Sequence, residues 1–314
     1  MYRFYDYFIK IMNAIVIINF IEIITKHNIF YKFLRTNAQN AAKTIYLSST
    51  VNFRAFSIFA HPIIYGIFLV CLYWCNNFLI KNKYIKISIQ VIIIINLYFT
   101  QARSAYLAFI ITVILYYIKL LVNQMHKQFK LRYTDIILFS FTSVLVIIGC
   151  VLIKNEIFNM YNQLYMKFIT ITNDSYNDPS RIQRLGMTKS IINYMLNNGI
   201  VNFLFGNGFG SISQFLKNIQ ILIVGYSTSD NQYMSYLYEF GFVGLSLYCL
   251  ILICSVIHFF KVNNTNMRML PIMCILTISI SMIFIEANIW ADLYMFLIIN
   301  MFFLCVKTNE TITS

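Results

Sequence analysis

Long apolar runs, interrupted by only three prolines and ten glycines, leave this chain few ways to fold. A helix needs about 20 apolar residues to cross the hydrocarbon of a bilayer. Runs that meet or approach this length fall near 7–25, 62–80, 85–100, 104–122, 134–153, 233–260, 269–287 and 290–306, and the sixth is overlong. Backbone groups in lipid must be satisfied inside a helix or a closed barrel, and these runs are too long and too unbroken for barrel strands. With 59% hydrophobic and 11% charged residues, the 314-residue chain carries more apolar surface than a water-soluble fold could hide. The expected fold is therefore all-α, a single polytopic transmembrane helix bundle over residues 1–314 with eight candidate spans. No small-residue cleavage site follows the first run, so it is expected to remain as a signal anchor.

The formal net charge of +13 would suggest nucleic acid in a soluble protein, but the cations sit mostly in short connections between apolar runs. Lys81, Lys83 and Lys86 lie in one, Lys127, Lys130 and Arg132 in another, Lys261 and Arg268 in a third. The positive-inside rule puts these in the cytoplasm. Both termini then lie inside, with Arg3 and Lys307 flanking the first and last spans, and no nucleic-acid partner is implied. Two long segments become extracytoplasmic, 26–61 and 154–232, the second inserted between spans five and six, with short outer turns near 101–103 and 286–292. A loop of about 80 residues in a compact domain is usually functional. The seven cysteines lie in or beside apolar runs, and the four histidines share no ligand spacing, so neither a disulfide framework nor a metal site is expected.

Inside the larger loop, Asp178 and Pro179 read as a helix start ahead of 180–196, and Asn197, Asn198 and Gly199 as its end. Ile182, Leu185, Ile192 and Met195 recur at helical spacing, as suits a helix on the membrane surface. Arg54, Arg103, Arg181 and Arg184 form a set of outer cations, and a guanidinium fork grips phosphate well. A lipid phosphate or diphosphate is the ligand they suggest; the alternative is that Arg103 merely snorkels to the interface. Phe205-Gly206-Asn207-Gly208-Phe209-Gly210 reads either as a nest of amides for an anion or as a tight turn. Asp230, followed by Asn231 at the mouth of the sixth span, reads either as an N-cap or as a general base. Glu239 lies inside that span, where an ionisable group usually faces protein.

Four pieces taken together resemble the O-antigen polymerase and O-antigen ligase superfamily, the Wzy-type and WaaL-type enzymes that move glycans from undecaprenyl diphosphate. They are Arg54-Ala55-Phe56-Ser57-Ile58-Phe59-Ala60-His61-Pro62, Gln101-Ala102-Arg103-Ser104-Ala105-Tyr106-Leu107, Arg181-Ile182-Gln183-Arg184-Leu185 leading to Gly206-Asn207-Gly208, and Asp230-Asn231 with Gly241 and Gly244. The resemblance implies a GT-C-like glycosyltransferase architecture in the bacterial cytoplasmic membrane, with its active site on the periplasmic or external face. It implies that Arg103, Arg181 and Arg184 hold the substrate diphosphate and stabilise it as it leaves; the reading of the residues adds Arg54 to the diphosphate site, Asp230 as the base that takes a proton, and Asn231 and Gly208 as residues that shape the site. The substrate is a lipid-linked oligosaccharide, no separate cofactor or metal is called for, and a chain-length regulator and a flippase are candidate partners. Ligases of the superfamily place a histidine where this chain has Asp230, which favours a polymerase of O-antigen or capsule. A ligase or protein O-oligosaccharyltransferase is the alternative within that chemistry, and a polysaccharide flippase or transporter the alternative outside it. Members usually carry more helices before the piece at Arg54, so the chain is expected to be a short or N-terminally incomplete form.

Overall fold

The computed structural model describes residues 1–26, 28–30, 53–59, 61–126, 179–219, 221, 225–262 and 266–305. The expected span near 134–153 and the helix cap at Asp178 lie outside these residues. Among the described residues all regular structure is helical: α1 (Tyr2–Thr25), α2 (Pro62–Leu79), α3 (Lys83–Thr100), α4 (Arg103–His126), α5 (Pro179–Asn197), α6 (Gly199–Phe205), α7 (Ser211–Lys217), α8 (Gln232–Lys261), α9 (Asn266–Ser281) and α10 (Ala291–Cys305), with a 3-10 turn at Ala287–Ile289. Among the described residues five helices, α1 to α4 and α8, are long and apolar enough to cross a membrane, and two shorter apolar stretches, Arg268–Ser281 and Ala291–Cys305, join them.

α2 is apolar all round and packs against α1, α3, α4 and α9, so it forms the centre of the bundle. Its Gly66 lets the start of α4 come close, since a Cβ there would stand 2.9 Å from that of Ala105. In lipid the hydrophobic effect gives helices no reason to associate, and buried amides supply specificity instead. Asn13 of α1 and Asn76 of α2 exchange reciprocal bonds at 3.1 and 3.0 Å. Asn19 donates to Asn96 of α3 at 2.8 Å, which also accepts from Tyr65 at 3.0 Å. Tyr5 donates to Asn300 of α10 at 2.6 Å. Lys119 of α4 is buried and donates to the Phe259 carbonyl and, at 2.9 Å, to that of Val262, tying α4 to the far end of α8.

The up-and-down path brings the starts of α2, α4, α8 and α10 and the ends of α1, α3 and α9 to one end of the bundle. Lys81, Lys83, Lys261, Arg268 and Arg3 belong to the opposite end. The overlong sixth run has a physical cause: Gly241 breaks α8 with φ 68° and ψ −169°. Tyr236 and Tyr248 are separated by 12 residues, about 18 Å along a straight helix. Their rings nevertheless lie 5.1 Å apart, so the first segment of α8 is folded over the second.

That first segment forms a separate layer with α5, α6 and α7 around Met187, Ile191, Met195, Ile212, Leu216 and Tyr238. The α5 helix falls where expected, but its buried stripe runs through Gln183, Met187, Ile191 and Met195, while Leu185 and Ile192 face outward. The stripe seen in the sequence mixed two faces.

Candidate active site

The site end of the bundle is organised by two short segments. Residues 53–57 lie against the end of α3: the Ala55 amide donates to the Phe99 carbonyl at 2.8 Å, and Arg54 Nε donates to that of Thr100 at 3.1 Å. Glu22, buried at the end of α1, accepts from the Phe56 and Ser57 amides, both at 3.1 Å. Gln101 closes α3 in the left-handed region, and α4 begins directly afterwards at the exposed Arg103. Arg54 and Arg103 are electrostatic neighbours; burial first, and then Arg103, lowers the pKa of the Arg54 guanidinium.

The second segment carries Asp230. Its carboxylate accepts from Tyr226 Oη at 2.8 Å and Arg184 Nε at 3.1 Å on one oxygen, and from Thr228 Oγ1 at 3.2 Å on the other. The ion pair is partly open, with side chains 46% and 24% exposed, so an incoming anion can compete for Arg184. Asp230 has φ 52°, which is costly for a residue other than glycine and persists only where surroundings over-determine it. Those surroundings come largely from Glu286, which accepts from the Ser229 amide at 3.0 Å and from Ser235 Oγ at 2.8 Å. The Gln232 amide, next along, donates to the Met282 and Ile285 carbonyls.

His61 joins the two segments. Its Nδ1 accepts from the Ile63 amide at 3.1 Å and so caps α2. Its ring lies 5.5 Å from that of Trp290. Burial first, then Arg54, with Asp230 opposing and Arg184 adding, holds the imidazole pKa down to about 4. The neutral ring carries its hydrogen on Nε2, because Nδ1 is already accepting. Arg54, Arg103, Arg184, Asp230 and His61 thus share one end of the fold, although Arg54 and Asp230 are 176 positions apart in the chain.

The remaining expected site residues fall as follows. Arg181 lies one turn before Arg184 on α5, and its side chain is outside what the structure describes. Asn231, not Asp230, caps α8, accepting from the Tyr233 and Met234 amides at 3.0 and 3.4 Å. Gly208 sits at the break of α8, roughly 12 Å along that helix from its cap. Of the two readings of the glycine run, the geometry favours the tight turn, because four of its amides already have acceptors. Gly206 donates to Asn202, Asn207 to the Tyr238 carbonyl, Gly208 to the Glu239 carbonyl and Gly210 to the Glu239 carboxylate. Glu239 faces protein as expected. Glu286 and Tyr226 were missed in the sequence; a carboxylate set between Ile285 and Ala287 at the edge of an apolar run was the available signal. Among the described residues no three His, Cys, Asp or Glu side chains gather to hold a metal ion.

The fold and this site define a polytopic helical membrane protein with guanidinium groups and a carboxylate gathered at one end of its bundle. Residues 89–249, just over half of the chain, match the model of the O-antigen ligase family, and the chain belongs to that family. No curated protein and no solved structure matches it. Membership makes the chain a membrane enzyme of the O-antigen ligase and polymerase type, acting in glycan transfer. The matched range contains Arg103, Arg181, Arg184, Gly208, Asp230 and Asn231; Arg54, His61, Glu22 and Glu286 lie outside it.

Proposed function

We propose that the protein is a polysaccharide polymerase that transfers a growing glycan from undecaprenyl diphosphate to a sugar hydroxyl of a lipid-linked repeat unit. The acceptor oxygen bonds to the donor's anomeric carbon, the bond from that carbon to the diphosphate oxygen breaks, and the acceptor proton passes to Asp230. Arg103 and Arg54 hold the diphosphate, while Arg181 and Arg184 offset the charge that develops as it departs. Asn231 and Gly208 act through the scaffold, one by capping α8 and the other by docking at its break. The reaction runs on the outer face of the bacterial cytoplasmic membrane, with the lysine-rich end of the bundle inside. The chain-length regulator and flippase remain proposed partners, and no separate cofactor enters the scheme.

The observation that carries this reading is the Arg184–Asp230 pair with Arg54 and His61 around it. Before donor binds, Arg184 is engaged by the carboxylate that the reaction needs; a diphosphate that draws Arg184 away releases Asp230 from its ion pair and leaves it with the Tyr226 and Thr228 hydroxyls. A ligase is the second reading, favoured by the match to the O-antigen ligase family. A strain lacking the protein separates the two. Accumulated single lipid-linked units support the polymerase, whereas accumulated full-length lipid-linked polymer supports the ligase and overturns our assignment. Within the polymerase reading, Arg181→Ala and Asp230→Ala should abolish long surface ladders at normal protein levels, and undiminished ladders would remove both residues from the chemistry.

A further inference from the structure

The hairpin formed by α6 and the turn before α7 has a surface unlike that of a water-exposed loop. Ile200, Val201, Phe205 and Phe209 are 64–76% exposed. They adjoin the outward face of α8, where Phe203 stacks on Phe242 at 5.9 Å and Phe209 on Phe240 at 6.1 Å. α8 is itself a candidate membrane span, and its exposed apolar face continues through Leu247. The apolar edge of the hairpin is therefore continuous with the apolar face of a candidate membrane span.

The backbone of the turn gives an independent indication. Irregular backbone can leave water only if its polar groups are satisfied within the protein. The Gly206, Asn207, Gly208 and Gly210 amides all have protein acceptors. On the acceptor side, Ser211 Oγ donates to the Gly208 carbonyl at 2.6 Å, and Ser213 Oγ to that of Gly210 at 3.2 Å. With these groups engaged inside the protein, much of the turn's backbone can leave water at little cost.

We infer that residues 199–210 are inserted into the acyl-chain region of the bilayer leaflet on the site side, against α8, and that their occupant is lipid hydrocarbon. This holds whether the enzyme polymerises or ligates. It places α5, with Arg184, along the headgroup boundary rather than free in the aqueous space.

The test uses the full chain in proteoliposomes. Phe205→Trp and Phe209→Trp each add one indole to the two native tryptophans, whose emission is subtracted using the unsubstituted protein. Lys217→Trp, on the polar far end of α7, serves as the comparison. The added indoles at 205 and 209 should emit at shorter wavelength than that at 217. They should be quenched by phosphatidylcholine brominated on its acyl chains and shielded from iodide present on both sides. Emission and iodide quenching at 209 equal to those at 217 would overturn the inference, whatever the outcome at 205. Phe209 is itself exposed, so its replacement by another ring does not threaten the fold.

Discussion

Two buried carboxylates do the same task at the same end of this protein with different partners. Glu22 holds the segment that bears Arg54, and Glu286 the segment that bears Asp230; each lies beside a non-glycine residue at φ 52°, Ser57 in one and Asp230 in the other. Glu22 receives two main-chain amides, which can only donate. Glu286 receives one amide and serine hydroxyls, which can also accept. The first clamp depends on having two acceptor oxygens, whereas the second could be rearranged by rotating hydroxyls. Side-chain identity is therefore tightly specified on the Arg54 side and less so on the Asp230 side, even though the proposed chemistry depends on both.

The largest effect should come from Arg54, which one clamp presents, and from Arg184, the ion-pair partner of the Asp230 that the other presents. Arg184→Ala and Arg54→Ala should each lower transferase activity by ~10²-fold or more, the scale of losing one charge-stabilising donor, as read from glycan ladders at equal protein level. A full effect at one position and none at the other would break the symmetry between the two segments. Next come the clamps themselves. Glu22→Gln sets an NH2 against an amide donor and should cost roughly 1–3 kcal/mol, while Glu286→Gln can turn its NH2 toward Ser235 Oγ and should cost under about 1 kcal/mol. Thermal unfolding in detergent reads both, and equal losses would erase the distinction drawn here.

A third effect is one of sign with pH. The folded His61 ring holds its proton less tightly than an unfolded one, so its contribution is full above pH 6.5 and is lost as the pH falls toward about 4. His61→Asn, which keeps a capping oxygen, should flatten that loss. Glu286 runs the other way. Burial, chiefly, raises its carboxyl pKa, so its contribution is full below the ordinary value of 4.5 and declines as the pH rises through the raised one. Glu286→Gln should remove that decline. Asn231→Ala should cost about 1 kcal/mol of stability as the loss of an N-cap, with Asn231→Asp restoring it.

The sequence made the helices near 62–80, 85–100 and 104–122 legible because each is a single apolar run between polar punctuation, and α5 because proline and glycine bracket it. It could not divide the run at 233–260. Gly241 stands in unbroken apolar surroundings, and only its opposition to Gly206 shows why the helix must break there: a Cβ on either would collide with the other's backbone neighbourhood. Asp230 and Asn231 posed a similar ambiguity. Both residue types cap helices, and only three-dimensional geometry shows that Asn231 turns inward to the amides while Asp230 turns toward Arg184. The partnership of Glu286 with Ser229 spans 57 positions, a relation that no local pattern encodes.

The polar side chains that α1 turns toward its neighbours bear on biogenesis. Asn13, Asn19 and Glu22 find their partners on α2, α3 and the segment before α2, all of which are synthesised later. α1 is therefore made before these partners and meets them only once they have followed it into the bilayer. Its final seat is chosen by amide recognition after insertion rather than by hydrophobicity during it.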